Sequence, residues 1–344
     1  SARITRKLGL GALVGAAGRA VAAPPIDPTA VDRCRTRRLL PFELTSAQQR
    51  VLQEITGDLG SGRPMARLIQ GDVGSGKTAV AAMAMLMTLD AGHQVAFMAP
   101  TELLAEQHGR TFSSLLADTG HPTHQLTGSL PAAEQRRVRE GLADGSAGLV
   151  VGTHALFQES VAFENLGLVV VDEQHRFGVA QRQALAEKGR APHLLVMTAT
   201  PIPRSLALTL YGDLDLSVIV GMPPGRRPVQ THLRFEDARA KVFEFVRREV
   251  DQGGRVFIVY PIIDASDELE AAALTEHEDG VRKALPGVEV AVLHGRLDRA
   301  LREDAISRFR DGSVQVLLAT TVVEVGVDVA EASVMIIESA HRFG

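Results

Sequence analysis

The sequence predicts an α/β protein with two lobes, each a mostly parallel β-sheet flanked by helices. From residue 67 onward, short and almost continuously apolar runs alternate with amphipathic stretches. Strands of this kind, separated by helices, form parallel sheets that are covered on both faces. The alternation breaks once, at residues 218–228, where three prolines, two glycines and two arginines are typical of a hinge or linker. This break predicts that the chain forms two lobes.

The individual elements follow from the same alternation. The first lobe begins with a helix for which Thr45 is a candidate N-cap. Its strands are predicted at residues 67–70, 95–99, 148–151, 166–171 and 194–197, and its later helices at 79–89, 102–116, 132–142 and 179–188. The second lobe has predicted strands at 229–235, 256–263, 288–293, 314–320 and 334–338, and helices at 237–250, 269–285 and 297–309.

We divide the chain into three parts on this basis. Residues 1–40 are a lead-in or linker remnant, because they lack periodicity and are rich in proline near residues 24–28. Residues 41–222 form the first lobe, and residues 223–344 form a second lobe that we expect to be incomplete at its C-terminal end.

Composition limits the classes of protein that this chain can belong to. Its 344 residues suit two domains, and 45% hydrophobic with 23% charged residues is ordinary for a soluble protein. No apolar run approaches the roughly 20 residues that cross a bilayer, so we expect no membrane partner. The single cysteine, Cys34, excludes an internal disulfide framework and fits the reducing cytoplasm. The net charge of −4 means that any surface for a polyanion must be local, and the lack of Trp argues against a base-stacking platform.

The stretch GDVGSGKT is the strongest functional signal. It reads G-x-x-x-x-G-K-[ST], a P-loop, and it lies between an apolar strand and a run of helix formers, which is the context that this motif requires. Lys77 would reach the β- and γ-phosphates of ATP, and the Thr78 hydroxyl would ligate Mg²⁺. The alternative is a glycine turn that binds no ligand. The predicted phosphate-binding residues are Gly71, Asp72, Val73, Gly74, Ser75, Gly76, Lys77 and Thr78.

A second signal is the apolar run at residues 166–171, which is followed by two carboxylates. This is the Walker B arrangement, which places acidic side chains at the edge of a parallel sheet where ligands bind. Asp172 would hold Mg²⁺ through a water, and Glu173 would orient or deprotonate the attacking water. Together with Lys77 these two residues are the predicted catalytic set. The alternative is a strand that ends in two acidic residues by chance.

Several segments together resemble the motor domains of superfamily 2 helicases: GDVGSGKT, DEQHRFGV, MTATPIPR, LHGR and ATTVVEVGVDV. Two longer segments, DEQHRFGVAQR and TATPIPRSLALT, are specific to a smaller group of proteins. They are similar to the RecG branch, whose members are ATP-dependent DNA translocases acting on branched DNA. The resemblance covers residues 40–344 and implies two RecA-like P-loop NTPase lobes that use ATP and Mg²⁺. Individual motifs are shared with transcription-repair coupling factors and primosomal helicases.

The resemblance also implies roles for further residues. Phe42 and Gln48 would recognise adenine, for which an amide is suited because it donates and accepts at once. Gly326 and Asp328 would contact the nucleotide from the second lobe. The residues that would hold DNA through its phosphates are Thr101, Thr127, Gly128, Thr153, His154, His294, Arg296 and Thr320. Four residues would transmit the presence or loss of the γ-phosphate to the second lobe: Gln174, His175, Thr198 and Thr200.

Most of these residues also have a plainer interpretation. Helix capping explains the strand-end threonines of the first lobe equally well. Turn chemistry explains the Gly-x-Asp stretch. His175, taken alone, is more often a packed core histidine, and Gln48 a capping or surface glutamine.

These features predict a DNA translocase or helicase motor that acts on stalled forks and Holliday junctions in recombination and repair. The expected partner is branched or duplex DNA, with a single-stranded-DNA-binding protein as a further partner of a monomeric chain. Two alternatives stay open: a transcription-repair-coupling type of duplex DNA translocase, and a nucleotide-binding module with little hydrolysis. The second arises because the family's arginine-finger motif is expected after Gly344, so that this chain would bind ATP but hydrolyse it poorly.

Overall fold

The chain folds into two compact units, one ending at Arg227 and the other starting at Pro228. The structure is a computed structural model, and it describes residues 23–24, 26, 39–158, 160–172, 192–200, 214–221, 229–261, 277–294, 297–320, 329 and 332–342. Each unit contains a parallel sheet with helices, so the predicted fold class is confirmed. The boundary predicted between residues 222 and 223 falls outside the described residues and stays a prediction.

The first unit is built on a seven-stranded sheet in which all neighbouring strands run parallel. Its strands are β1 (Ala66–Gly71), β2 (Gln94–Met98), β3 (Thr123–Leu126), β4 (Leu149–Gly152), β5 (Leu166–Asp172), β6 (His193–Thr198) and β7 (Asp215–Ile219). Across the sheet they follow the order β3-β4-β2-β5-β6-β1-β7. Because the strands are parallel, their carboxyl ends and the loops that follow them share one side of the sheet, which we call the carboxyl edge.

Helices connect these strands. They are α1 (Ser46–Leu59), α2 (Lys77–Asp90), α3 (Glu102–Leu115) and α4 (Ala132–Ala143), with short 3₁₀ turns at Ala117–Thr119 and His154–Phe157. Helix α2 is rich in Ala and Met on every side, and it is therefore buried along almost its whole length, in contact with α1, β1, β2 and β5. Among the described residues, none of the helices has the length and hydropathy of a membrane span.

The core of the first unit lies around its central strands. Strands β2 and β4 are buried throughout, and β5 is buried up to its last residue, because both faces of these strands are covered. Aliphatic side chains such as Val150, Val169 and Val196 pack together there. Each one contributes about 1.5–3 kcal/mol relative to an exposed side chain. The carboxyl edge is thus held by the best-packed part of the unit.

The second unit has a four-stranded parallel sheet in the order β11-β8-β10-β9. Its strands are β8 (Arg255–Val259), β9 (Val290–Leu293), β10 (Val316–Ala319) and β11 (Ala332–Ile337). Helix α5 (Arg239–Asp251) contacts β8 and β11, and helix α6 (Arg299–Asp311) contacts β9. Residues 277–284 are also helical, and 3₁₀ turns lie at Glu236–Ala238 and Ala340–Arg342. Its core includes Val246, Ile258 and Leu318.

Some element predictions are wrong. Residues 229–235, predicted as a strand, form no regular structure. Val229, Leu233 and Phe235 are exposed, because no sheet of the described residues packs against their alternating pattern. Strands β3 and β7 were not predicted, since each is an edge strand with a short, partly polar sequence. The predicted strand at 256–263 ends at residue 259. The predicted helix at 179–188 lies outside the described residues.

A buried histidine attaches part of the lead-in to the first unit. His193 lies at the start of β6, where its Nδ1 accepts a hydrogen bond from the Met65 N–H (3.0 Å) and its Nε2 donates to the Pro24 carbonyl (3.1 Å). Ile26 is buried nearby, and its N–H donates to the Leu59 carbonyl (3.3 Å). Burial lowers the pKa of His193, because the charged form would lose its hydration.

We predict that His193 makes the stability of the first unit depend on pH. Since the folded-state pKa is lowered, the unfolded chain takes up a proton near pH 6.5 that the folded chain does not bind. The free energy of unfolding therefore decreases as the pH falls through about 6.5, by up to about 1.4 kcal/mol per pH unit for this group. Urea unfolding, followed by circular dichroism from about pH 7.5 to about pH 5, measures the slope.

The variant His193→Asn should be less stable near neutral pH and should show a smaller slope than the natural chain. The control is His121→Asn, which removes a histidine that pairs with Asp90 at 2.9 Å. Equal slopes for His193→Asn and the natural chain would contradict the assignment.

Candidate nucleotide-binding site

Three adjacent strands bring the predicted phosphate and metal residues to the carboxyl edge of the first unit. In sheet order, β5, β6 and β1 end in Asp172, Thr198 and Gly71. The ends are level, because Asp172 pairs with Met197 and Thr198 pairs with Gln70. With about 4.8 Å between neighbouring strands, the backbones of Asp172 and Gly71 lie about 10 Å apart. The P-loop and the acidic strand end therefore face the same site.

The P-loop connects β1 directly to α2. The loop turns tightly, since the Ser75 N–H donates to the Asp72 carbonyl at 3.0 Å and the Asp72 Oδ1 accepts from the Val73 N–H at 2.8 Å. Gly76, the N-cap of α2, has φ 86°, a left-handed conformation that favours glycine. A Cβ at Gly76 would also collide with the side chain of Gln48. Any other residue would therefore disturb the loop at this position.

The lysine of the motif is buried against its own loop. Lys77 is 9% exposed, and its Nζ donates to the carbonyls of Gly71 at 2.7 Å and Asp72 at 3.0 Å. These two carbonyls hold the ammonium group at the centre of the loop. A phosphate bound in the loop would therefore lie next to the positive charge of Lys77.

The loop fits a polyphosphate. No side chain caps the N-terminus of α2, whose first-turn N–H groups carry a partial positive charge. The Ser75 hydroxyl is buried and has no hydrogen-bond partner among the described residues. Together with the ammonium of Lys77, these are donors arranged for an anion with several oxygens. The hydroxyl of Thr78 and the carboxylate of Asp172 are the oxygen ligands that Mg²⁺ prefers when phosphates complete its shell.

Gln48 supports the P-loop from helix α1. It is 1% exposed, and its Nε2 donates to the Ser75 carbonyl at 2.8 Å. Its Oε1 accepts from the Thr45 N–H at 2.8 Å, and the Thr45 hydroxyl accepts from the Gln48 N–H, which completes a capping box. Its capping role is thus present, and its side chain also reaches the loop. Phe42, the other predicted adenine contact, is 53% exposed.

Asp172 has a partner that the sequence analysis missed. The Nε2 of His108, on helix α3, lies 2.8 Å from the Asp172 Oδ2. The two residues are 64 positions apart, and no motif marks His108. The available signal was its place in the apolar stripe of α3 with Leu104 and Phe112, which shows that it is buried but gives no hint of its partner.

The predicted coupling residues Thr198 and Thr200 form a local turn. The hydroxyls of the two threonines are 2.8 Å apart, and the Thr200 N–H donates to the Thr198 Oγ1 at 3.1 Å. Thr198 ends β6, which lies between the P-loop strand and the Asp172 strand. The turn is thus adjacent to both halves of the phosphate site.

The predicted DNA-contacting residues of the first unit follow three neighbouring strands on the other side of β5, namely β2, β4 and β3. The Thr101 hydroxyl caps α3 by accepting from the Leu104 N–H (3.4 Å), as the capping interpretation holds. Thr153 is buried at the N-cap of the 3₁₀ turn 154–157 but makes no capping hydrogen bond with its side chain. The loop that carries Thr127 and Gly128 is attached to α3, since the Glu102 Oε1 accepts from the Ser129 N–H at 3.2 Å.

In the second unit, two predicted residues also follow neighbouring strands. His294 comes after β9 and Thr320 after β10, and the Thr320 N–H donates to the Leu293 carbonyl at 3.3 Å. The Thr320 hydroxyl is buried, and no described residue forms a hydrogen bond with it. The predicted residues that lie outside the described residues are Glu173, Gln174, His175, Arg296, Gly326 and Asp328.

Comparison with known proteins identifies relatives of this chain. Residues 45–209 match the DEAD/DEAH box helicase family, and residues 238–342 match the helicase conserved C-terminal domain. An ATP-dependent DNA helicase RecG of Synechocystis sp. is 52% identical over 307 residues, which are 89% of this chain and 37% of that relative. The matched part of the chain is homologous to RecG helicases. RecG helicases of Aquifex aeolicus and Thermotoga maritima are each 49% identical over 89% of the chain and 39% of their own length.

Solved structures agree with this assignment. A structure of RecG bound to a three-way DNA junction matches with a TM-score of 0.75 and 41% identity, covering 97% of this chain and 42% of that one. The helicase MrfA bound to DNA matches with a TM-score of 0.67 at 20% identity, covering 93% of this chain and 48% of that one, which shows the fold alone. The chain thus spans about two fifths of the RecG relatives, and both of its lobes have the RecA-like fold.

We predict that Gln48→Ala weakens the P-loop itself. The variant leaves the buried Ser75 carbonyl and the Thr45 N–H without their side-chain partner, which should cost about 1–3 kcal/mol of stability. Binding of inorganic tripolyphosphate, measured by calorimetry, should weaken along with binding of ATP. The control is Gln49→Ala on the exposed face of α1. Loss of ATP affinity with tripolyphosphate affinity unchanged would show that Gln48 acts only through the base.

Proposed function

We propose that this chain is the motor of an ATP-dependent DNA helicase or translocase that acts on branched DNA. The observation that carries the proposal is the division of the carboxyl edge, with phosphate and metal candidates after β5, β6 and β1 and DNA candidates after β2, β4 and β3. One sheet would hold both the nucleotide and the DNA. Relatives named ATP-dependent DNA helicase RecG, and a RecG structure with a three-way DNA junction, support it.

At the nucleotide half, the chain would bind ATP chiefly by its phosphates. Lys77 would exchange the carbonyls of Gly71 and Asp72 for phosphate oxygens, and the first turn of α2 would donate its N–H groups. Bound Mg²⁺, held by Thr78 and Asp172, would neutralise charge on the phosphates. Glu173 would orient the attacking water and accept its proton. Phe42 would stack on the adenine. Gln48 would donate to the adenine with its second amide N–H, the one that is not bonded to the Ser75 carbonyl.

Coupling to the second lobe would depend on residues next to the γ-phosphate. Gln174, His175, Thr198 and Thr200 would sense whether that phosphate is present, since Thr198 lies between the two strands of the phosphate site. Gly326 and Asp328 would contact the nucleotide from the second lobe. His294, Arg296 and Thr320 would hold the DNA there. ATP would close the lobes and hydrolysis would reopen them, with the alternating grip moving the protein along the duplex.

At the DNA half, the grip would be on phosphates and without sequence preference. Thr101, Thr127, Gly128, Thr153 and His154 would donate hydroxyl, imidazole or backbone N–H groups to one strand. Thr153 favours this interpretation over simple capping, because its side chain makes no capping bond. The identity to RecG helicases favours this branch over a transcription-repair-coupling translocase. A monomeric state, a cytoplasmic location and a single-stranded-DNA-binding protein as partner are further parts of the proposal.

Lys77→Ala should lower the affinity for a fluorescent ATP analogue at least tenfold, because it removes the ammonium group that would bind the phosphates. Among the described residues, Lys77 is the only lysine whose ammonium group is bonded to carbonyls of the P-loop. Equilibrium anisotropy measures the affinity, and phosphate release with and without forked DNA measures hydrolysis. The matched control is Lys241→Ala, at an exposed position of α5.

Glu173→Gln should keep the affinity for the ATP analogue and lower the rate of ATP hydrolysis about 10²–10⁴-fold. Binding without any DNA-stimulated hydrolysis in the natural chain would favour the nucleotide-binding module instead.

Thr153→Val should lower the affinity for forked DNA about 10–100-fold, because a hydrogen bond to a charged phosphate contributes about 1.5–3 kcal/mol. The loss should be the same for any sequence. The dependence of affinity on salt should keep its slope, since threonine carries no charge that would release counterions. Fluorescence anisotropy with two unrelated fork sequences makes the measurement, and Thr111→Val on the exposed side of α3 is the control. An unchanged affinity, or a loss that depends on sequence, would exclude the phosphate contact.

A further inference from the structure

Helix α3 carries a side chain that holds the candidate metal ligand. The His108 Nε2 is 2.8 Å from the Asp172 Oδ2, and the two side chains are only 11% and 14% exposed. A carboxylate oxygen accepts, so the imidazole nitrogen donates. The ring is fixed by aromatic neighbours, with the Phe97 centroid at 4.6 Å and the Phe112 centroid at 5.8 Å. The donor is therefore held in one place by packing.

This contact orients Asp172. A carboxylate at the end of a strand can rotate about its χ2 bond, which is a broad, two-fold torsion. With Oδ2 bound to His108, the rotation is restricted and Oδ1 remains for a metal or a metal-bound water. Groups that hydrogen-bond to metal ligands in this way commonly change metal affinity or activity 10–100-fold.

The same helix begins at the candidate DNA grip. Thr101 caps α3, and Glu102, its first residue, binds the N–H of Ser129 in the neighbouring loop. His108 follows about 10 Å further along the helix axis. Helix α3 contacts β3 and β4, so its position also depends on the strands that directly precede Thr127 and Thr153. One rigid element thus touches the DNA half at its start and the nucleotide half at its middle.

We infer that His108 is a positioning residue that fixes the Asp172 carboxylate for Mg²⁺ and relays DNA binding at the start of α3 to the nucleotide site. This inference rests on the proposed function. DNA that contacts Thr101 would restrain α3, and with it the imidazole that sets the carboxylate. The metal–nucleotide complex should in turn strengthen DNA binding by the same factor, because coupling between two sites is reciprocal.

The test measures the Mn²⁺ concentration needed for binding of a fluorescent ATP analogue, with and without forked DNA. His108→Leu removes the donor and keeps a similar volume, while His108→Gln places an amide Nε2 at a similar reach. His108→Leu should raise the required Mn²⁺ concentration about 10–100-fold and remove most of the effect of DNA on it. His108→Gln should restore most of both. Binding of the nucleotide without metal should stay unchanged in all variants, which reports that the P-loop is folded.

The matched control is His121→Leu, which breaks another histidine–aspartate pair of the same unit, between His121 and Asp90. It should leave the Mn²⁺ requirement unchanged. The inference is overturned if His108→Leu needs no more Mn²⁺ than the natural chain, or if His108→Gln is as impaired as His108→Leu, since ring packing would then be the cause. Failure of the natural chain to bind the nucleotide would instead refute the proposed function.

Discussion

The all-parallel sheet of the first unit is the constraint on which its other features depend. In a parallel sheet every strand ends on the same side, so seven strand ends and the loops after them must share one edge. The strand order then decides which loops are neighbours. It places β5, β6 and β1 on one half and β3, β4 and β2 on the other, with β2 and β5 paired at the centre. Nucleotide and DNA candidates therefore occupy adjacent halves of a single edge, and only the β2–β5 junction separates them.

The candidate phosphate site is supported by two helices of different character. Helix α2 is buried on all sides, which fixes the start of the helix and hence the direction of its first N–H groups. Helix α1 is amphipathic and supplies Gln48, which packs on Gly76 and binds the Ser75 carbonyl. Because Gly76 has no side chain, the Gln48 amide can approach the loop at this position. The loop is thus held from both ends before any ligand arrives, which lowers the entropic cost of binding.

The sequence predicted the parts of this site that are local and missed those that are not. The P-loop and the strand ending in Asp172 were predictable, because their chemistry lies within a few consecutive residues between recognisable elements. The central strands were predictable because burial on both faces makes them continuously apolar. His108 was not, since its partner is 64 residues away and its helix pattern indicates only burial. The hydrogen bond between Gln48 and Ser75, which are 27 residues apart, was not predicted for the same reason.

Strands β3 and β7 were not predicted, because an edge strand needs no continuous apolar run. Residues 229–235 have the alternating pattern of a strand, but no sheet of the described residues packs against them.

The distribution of burial indicates which elements can respond to a ligand. Helix α2 cannot shift without disturbing the core that surrounds it, because interiors are closely packed. Helix α4 has one fully buried residue, Leu142, and is held to the loop before it mainly by Gln135, which donates to the carbonyls of Gly128 and Leu130. A displacement there costs few apolar contacts. Any change that the nucleotide half imposes should therefore appear in the loops after β3 and β4, while the P-loop helix stays in place. The proposed grip on DNA could change in this way without loss of the candidate phosphate site.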